Sequence, residues 1–321
     1  MALPSGIITA KPGLGKAQKA NLAPRDKRLL WPTARPDAEK RSAGGVSRES
    51  LLTTITDLGK TSRIIVDSAD TSSYPGDTPD TQVFTNIGTS STPQYYLGAS
   101  GSGSTDDPTF VGSYGDMSGD TYFSFDGGDL FKSGTTVSSI TWLDRCSFSA
   151  YGVFTACVIE KHIDVGNAYQ FLWSTNGDYS STDRKGVSFL SGNGADYLAI
   201  FIGQFGGWTD VFSKTTNVEI GEGPRMLAVS IDNQTGTGFF YKNGSYMPTS
   251  AGDTFSVSFS SNSDSSSNKP ALGASGRTSG PYGWVADGTK IYSGFMDDTA
   301  WTKEELDGIW AKVGGWLEAT G

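Results

Sequence analysis

Residues Pro224–Met247 read PRMLAVSIDNQTGTGFFYKNGSYM, and the reading of this stretch decides the fold class. Leu227, Val229 and Ile231 alternate with Ala228 and Ser230, the period of two expected of a strand with one buried and one wet face. Asp232 to Gly236 is polar and closes on glycine, which makes it a turn. The chain resumes with Gly238-Phe239-Phe240-Tyr241, rings that suit a pleated surface. It stops at Asn243-Gly244, the pair best able to take the positive φ values of a tight hairpin. Two corners thus fall about ten residues apart, the rhythm of an all-β sandwich or barrel.

Outward from this stretch, composition agrees. The 321 residues include 42 glycines, which with abundant Ser and Thr favour many short strands and tight turns over a helical fold. The net charge of −9 argues against a whole-surface affinity for nucleic acid. Residues 1–50 hold ten Lys/Arg against four Asp/Glu, a balance of +6, so the other 271 residues carry −15. A basic arm therefore precedes an acidic body. No apolar run approaches the roughly 18 residues of a membrane span, and no secretory signal opens the chain. Cys146 and Cys157 are expected to be two reduced, buried thiols.

Residues 1–45 carry five prolines among isolated hydrophobes, without a period of 2 or 3.6. They read as an extended arm, able at about 3.3 Å per residue to reach roughly 150 Å, or as a solubilising tail. As an arm, its Arg25, Lys27, Arg28, Leu30 and Trp31 are the candidate contacts to a partner protein. SRESLLTTITDL (Ser47–Leu58) predicts a short helix capped by Ser47 and ended by Gly59. Trp142, Phe148 and Val153 to Ile159 read as strand material, as do Tyr169–Trp173, Gly186–Leu190, Tyr197–Ile202 and Asp253–Phe259. Near the C-terminus, Thr302 and Glu305 form a capping box. Leu306, Ile309, Trp310 and Val313 make one apolar stripe, and Gly314 is the expected stop.

Four segments together carry a family resemblance: IIVDSADTSSYPG (Ile64–Gly76), TYFSFDGGDLF (Thr121–Phe131), the Pro224–Met247 hairpins, and KIYSGFMDDTAWTKEELDGIW (Lys290–Trp310). Their order is similar to that of laminin-G-like, concanavalin-A-like modules of the kind found in tailed-phage structural proteins. The resemblance covers about Ile64 to Val313 and leaves the arm unexplained. It implies an all-β, antiparallel jelly-roll sandwich with an extended N-terminal arm and a short C-terminal helix. The expected limits are 1–62 for arm and helix, 63–315 for the jelly roll and 316–321 for a tail. It further implies a virion protein assembled in the host cytoplasm. The arm, lying across the major capsid protein, favours a head decoration protein; a tail, fibre or adaptor role stays open, as does a homo-oligomer.

The chemistry that would contradict a binding role is missing. Glycoside hydrolases of this fold place two carboxylates on one face of a strand. Glu219/Glu222 and Asp297/Asp298 lack that spacing, since residues i and i+3 or i+1 point to opposite faces. Asp297-Asp298, Asp126 and Asp232 are expected to shape turns. His162, the sole histidine, leaves no four-ligand Cys/His metal site, and no cofactor motif is present. A hydrolase or lyase of the same fold is the enzymatic alternative. Trp208, Tyr282 and Trp284, on Gly-rich loops, are the candidate carbohydrate-stacking rings; the alternative is that they cap the core or pack on a neighbouring subunit.

Overall fold

The two corners around Asp232 and Asn243 lie at one side of a nine-stranded sheet. Asp232 Oδ1 accepts from the N–H groups of Gln234 (2.8 Å) and Thr235 (3.2 Å), closing the first turn. At the second, Asn243 and Gly244 take φ values of 47° and 85°, as a hairpin corner of this kind requires.

The computed structural model describes residues 47–76, 82–99, 103–117, 120–146, 152–161, 169–175, 186–192, 197–203, 209–215, 224–258, 268–276 and 285–320. All of them fall within one unit, Val46–Gly321. The first strands are β1 (Ile64–Asp67), β2 (Val83–Phe84), β3 (Tyr95–Leu97), β4 (Thr109–Val111), β5 (Tyr122–Ser124) and β6 (Phe131–Ser133). The long central strands follow: β7 (Val153–Lys161), β8 (Gln170–Ser174), β9 (Gly186–Ser191), β10 (Leu198–Gly203), β11 (Thr209–Lys214) and β12 (Pro224–Asp232). The last are β13 (Thr237–Lys242), β14 (Ser245–Met247), β15 (Phe255–Ser256), β16 (Ala271–Leu272) and β17 (Lys290–Asp297). Three α-helices accompany them: α1 (Leu51–Asp57), α2 (Thr141–Arg145) and α3 (Lys303–Thr320).

The strands form two antiparallel sheets. One runs β14-β13-β12-β7-β17-β5-β4, with β1 also on β17 and β15 on β13; the other runs β11-β10-β9-β8-β16-β6-β3-β2. This is the β-sandwich expected, with few helices. Phe154, Val158, Phe189, Ile200, Val229 and Phe240 meet between the sheets, each at most 1% exposed. Removing one such ring costs about 3–5 kcal/mol, a large share of a domain's net stability.

Five expectations are corrected. The strand Pro224–Asp232 has no wet face: Met226 and Ala228 are fully buried in a second core with Tyr241, Leu306 and Ile309, because α1 and α3 cover the outer side of the first sheet. The cap of α1 is Ser50, whose hydroxyl accepts from Thr53 N–H, and not Ser47. Arg48 is drawn out of any helix because its N–H reaches Met117 O (2.9 Å) and its guanidinium forks onto Asp67. Trp142 stands in α2 rather than in a strand, where its ring joins the inter-sheet core and its Nε1 donates to Ser90 Oγ (3.1 Å). The expected strand through Asp253 shrinks to Phe255–Ser256 among the described residues. Finally, α3 passes through Gly314 to Thr320, into the segment expected as a tail. Glycine in a helix costs about 1 kcal/mol. Burying Trp316, 1% exposed against Tyr292 and Arg48, returns roughly 2–3 kcal/mol and outweighs it.

Candidate functional site

The first and last strands of the sandwich pair, with Ile64 opposite Met296. The residues just before β1, Lys60-Thr61-Ser62-Arg63, therefore face those just after β17, Asp297-Asp298-Thr299. Gly59, at φ 69°, turns the chain out of α1 toward β1. Thr89, from the β2–β3 loop, joins them by donating its N–H (2.8 Å) and hydroxyl (3.1 Å) to Ser62 O. Between the three segments lies an open cleft of about 510 Å³, within the size range of small-ligand sites.

The charges of this cleft are paired within it. Arg63 donates its Nε and Nη2 to the two oxygens of Asp298 at 2.9 and 3.0 Å. The carboxylate that accepts them holds Arg63 above its ordinary pKa. Lys60 Nζ donates to Glu305 Oε1 at 2.7 Å while lying 5.1 Å from the centre of the Trp301 ring. Glu305 Oε2 in turn accepts from Thr302 N–H (2.8 Å), and Glu305 N–H donates back to Thr302 Oγ1, completing the expected capping box. Asp297, 4% exposed, takes Arg63 N–H on one oxygen and both Trp301 Nε1 (3.0 Å) and the Thr299 hydroxyl on the other. Both carboxylates of the Asp297-Asp298 pair are thus spent on holding the loop, as a turn-forming role requires.

What remains for a ligand is directional and close to neutral. Arg63 Nη1 and the N–H, carbonyl and hydroxyl of Thr61 engage no other group among the described residues. Behind the cleft, sharing Lys60, Thr61 and Thr89 with it, is a recess of about 110 Å³ lined by Leu52, Ile55, Ile65 and Ile87. Among the described residues no group of three or more His, Cys, Asp or Glu is arranged to hold a metal ion. Cys146 and Cys157 are both free and buried.

The residues singled out by sequence lie elsewhere. Trp208, Tyr282, Trp284, His162, Glu219 and Glu222 fall outside the described residues, as do Arg25, Lys27, Arg28, Leu30 and Trp31. The flanks of two aromatic loops are described and belong to one end of the second sheet: Gly203 pairs with Gly186, and Gly276 N–H reaches Ser174 Oγ, with Ser174 beside Ser188. The cleft itself went unnoticed in the sequence. Its signal was the pair of polar clusters at the two ends of the sandwich, KTSR before the first strand and DDT after the last. Only the register that makes them neighbours was missing.

No family model and no curated protein matches the sequence. Among solved structures, the chain is similar to the CBM40 of the Ruminococcus gnavus IT-sialidase, at 14% identity and a TM-score of 0.42 over 59% of this chain and 95% of that one. It is also similar to the binding domain of Botulinum Neurotoxin DC in complex with SialylT (8% identity, TM-score 0.49, 79% and 52%). A third is the NanB sialidase from Streptococcus pneumoniae (16% identity, TM-score 0.39, 54% and 25%). At such identities the likeness is one of fold only, and no ligand is inferred from it.

Proposed function

We propose that this chain is a non-enzymatic carbohydrate-recognition sandwich that holds a neutral sugar in the cleft between the α1–β1 corner and the β17–α3 loop. The observation that carries this reading is the self-paired charge. A phosphate or carboxylate site keeps its cations free for the anion, whereas here Lys60 and Arg63 already have carboxylate partners. What the cleft offers is one open guanidinium edge, threonine hydroxyls and a free peptide group, a donor and acceptor set that suits sugar hydroxyls. Its acids are held in structural hydrogen bonds, which removes the free carboxylate pair that glycoside hydrolysis needs.

A glycan array with the full chain tests the reading, followed by titration of the retained sugars against Arg63→Lys. Lysine keeps a positive charge near Asp298 but loses the planar edge, so binding should weaken about tenfold or more with little change in unfolding. Retention of no glycan, or retention indifferent to Arg63→Lys, overturns the cleft as the site. Trp208→Ala and Trp284→Ala on the same array test the proposed stacking role of those rings. No new reducing ends should form from any retained polysaccharide.

The charge split favours a second, finer reading: an acidic sandwich carried on a phage head by its basic arm, through Arg25, Lys27, Arg28, Leu30 and Trp31. The resemblance to phage-borne modules supports it. Deleting residues 1–45 should abolish docking on purified particles that lack the protein. Full occupancy by the truncated chain would sink this reading, and labelling of tails rather than heads by the intact chain would move it from decoration to a tail role.

A further inference from the structure

We infer that the cleft selects sugars bearing an N-acyl group, with the acyl methyl seated in the recess behind Thr61. This rests on reading the cleft as a sugar site and goes further by naming the substituent that the site distinguishes.

The recess is apolar and its rim is polar, and the two meet at Thr61. Its walls come from Leu52 and Ile55 of α1, Ile65 of β1 and Ile87 of the β2–β3 loop. The polar groups around those walls are already satisfied. The Thr56 hydroxyl donates to Leu52 O, the Ser62 hydroxyl reaches Ile64 O and Met296 O, and Gly88 N–H donates to Asn86 Oδ1. A water inside would find few of the two to four partners it needs. A methyl group needs none and leaves water on entering, worth roughly fourfold in affinity by itself.

At the mouth the demand reverses. Thr61, shared by recess and cleft, has an N–H and a hydroxyl with no partner among the described residues. An amide carbonyl placed there accepts from Thr61 while its methyl points inward and its sugar ring stays in the larger cleft. The recess at about 110 Å³ admits a substituent of a few heavy atoms, and the ring needs the 510 Å³ in front. A hydroxyl at the same ring position would satisfy Thr61 but leave the recess wet, and a free amine would bring an unpaired cation toward Lys60. Preference for the N-acyl sugar over either is therefore built from two adjacent features.

The test uses the full chain and matched probes: N-acetylglucosamine and N-acetylgalactosamine oligosaccharides against their glucose, galactose and de-N-acetylated counterparts, titrated by calorimetry. Ile87→Phe fills the recess from its partly exposed rim, and Ile87→Ala enlarges it. The expected result is about tenfold tighter binding of at least one N-acetyl probe than of its counterparts. Ile87→Phe should abolish that margin while leaving the parent sugar unaffected, and Ile87→Ala should shift preference toward the N-propionyl analogue. Equal binding of both classes, or a margin untouched by both variants, overturns the N-acyl inference and leaves the sugar-binding reading standing. Binding of neither class by the intact chain overturns both.

Discussion

Gly294, on β17, stands where the two sheets approach most closely. It pairs with Val158 and points between the sheets, so a Cβ there would lie 2.8 Å from Cys157 O and 3.1 Å from Trp173 Cζ2. That indole donates to the same carbonyl at 2.9 Å, so both the ring and its acceptor occupy the space that alanine needs. Gly294→Ala should cost about 1–3 kcal/mol in urea unfolding through this overpacking; an unchanged midpoint would show that Trp173 yields freely. Asp129 is a different kind of residue-scale liability. It is 3% exposed, and burial foremost pushes its pKa from 3.8 up to about 7, despite the N–H of Asp126 on its carboxylate at 2.8 Å. The folded state therefore holds this proton more tightly than the unfolded chain. Its contribution to stability is fully present below about pH 4 and is lost as pH rises through about 7. Asp129→Asn keeps an acceptor for Asp126 and removes that slope, so melting curves of the two proteins should diverge between pH 5 and pH 8, with the variant relatively more stable at the higher value. The turn roles of Asp126 and Asp232 were legible in sequence because an Asx turn closes within two or three residues. The role of Gly294 was not, since the atom that excludes a side chain there belongs to a strand far away in the chain.

At the scale of elements, the entry of the chain into the sandwich is fixed by one buried carboxylate. Asp67, at the end of β1, accepts from both arms of the Arg48 guanidinium, from Leu51 N–H at the start of α1 (2.8 Å) and from Ala69 N–H (3.1 Å). Arg48 also lies over the Trp316 ring of α3 at 4.9 Å. Three elements thus depend on a pair whose side chains are 2% and 0% exposed. Asp67→Asn would leave the guanidinium charged and buried without its counter-ion, at a cost of about 3–5 kcal/mol. The measurement is chemical unfolding, together with faster amide exchange in α1 than in β7; loss of α1 protection without global destabilisation would place the pair's role in the helix only. Legibility at this scale follows the distance over which an element is determined. The hairpins of Pro224–Met247 and the capping box of α3 close within a few residues, and both read correctly. The cap of α1 did not: Ser47 and Ser50 are equivalent as sequence signals, and only Met117 and Asp67, brought in by tertiary pairing, take Arg48 away from the helix. The second buried face of β12 was hidden likewise, because Ala and Ser on that face read equally as exposed or as packed under a helix.

The whole molecule is organised by the pairing of its first and last strands. That pairing makes the candidate cleft, because it sets Arg63 beside Asp297 and Asp298. It also closes the second core, in which α1 from one end of the described chain and α3 from the other cover the same face of the first sheet. Every residue of both cores among those described lies at or after Leu51, and the cleft begins only at Leu52 with its recess. Neither stability nor sugar recognition therefore calls on the arm, although the arm's +6 is what offsets the −15 of the remainder. Removal of residues 1–45 should leave the melting temperature within about 2 °C, well inside the shift that the loss of even 1 kcal/mol would give a smaller domain. The same truncation should keep sugar retention on the array unchanged and lose only particle docking. A drop of more than about 5 °C would mean that the arm completes a core rather than reaching a partner, and the attachment reading would then lose its premise. Unchanged melting with lost sugar retention would instead move part of the ligand site into the arm.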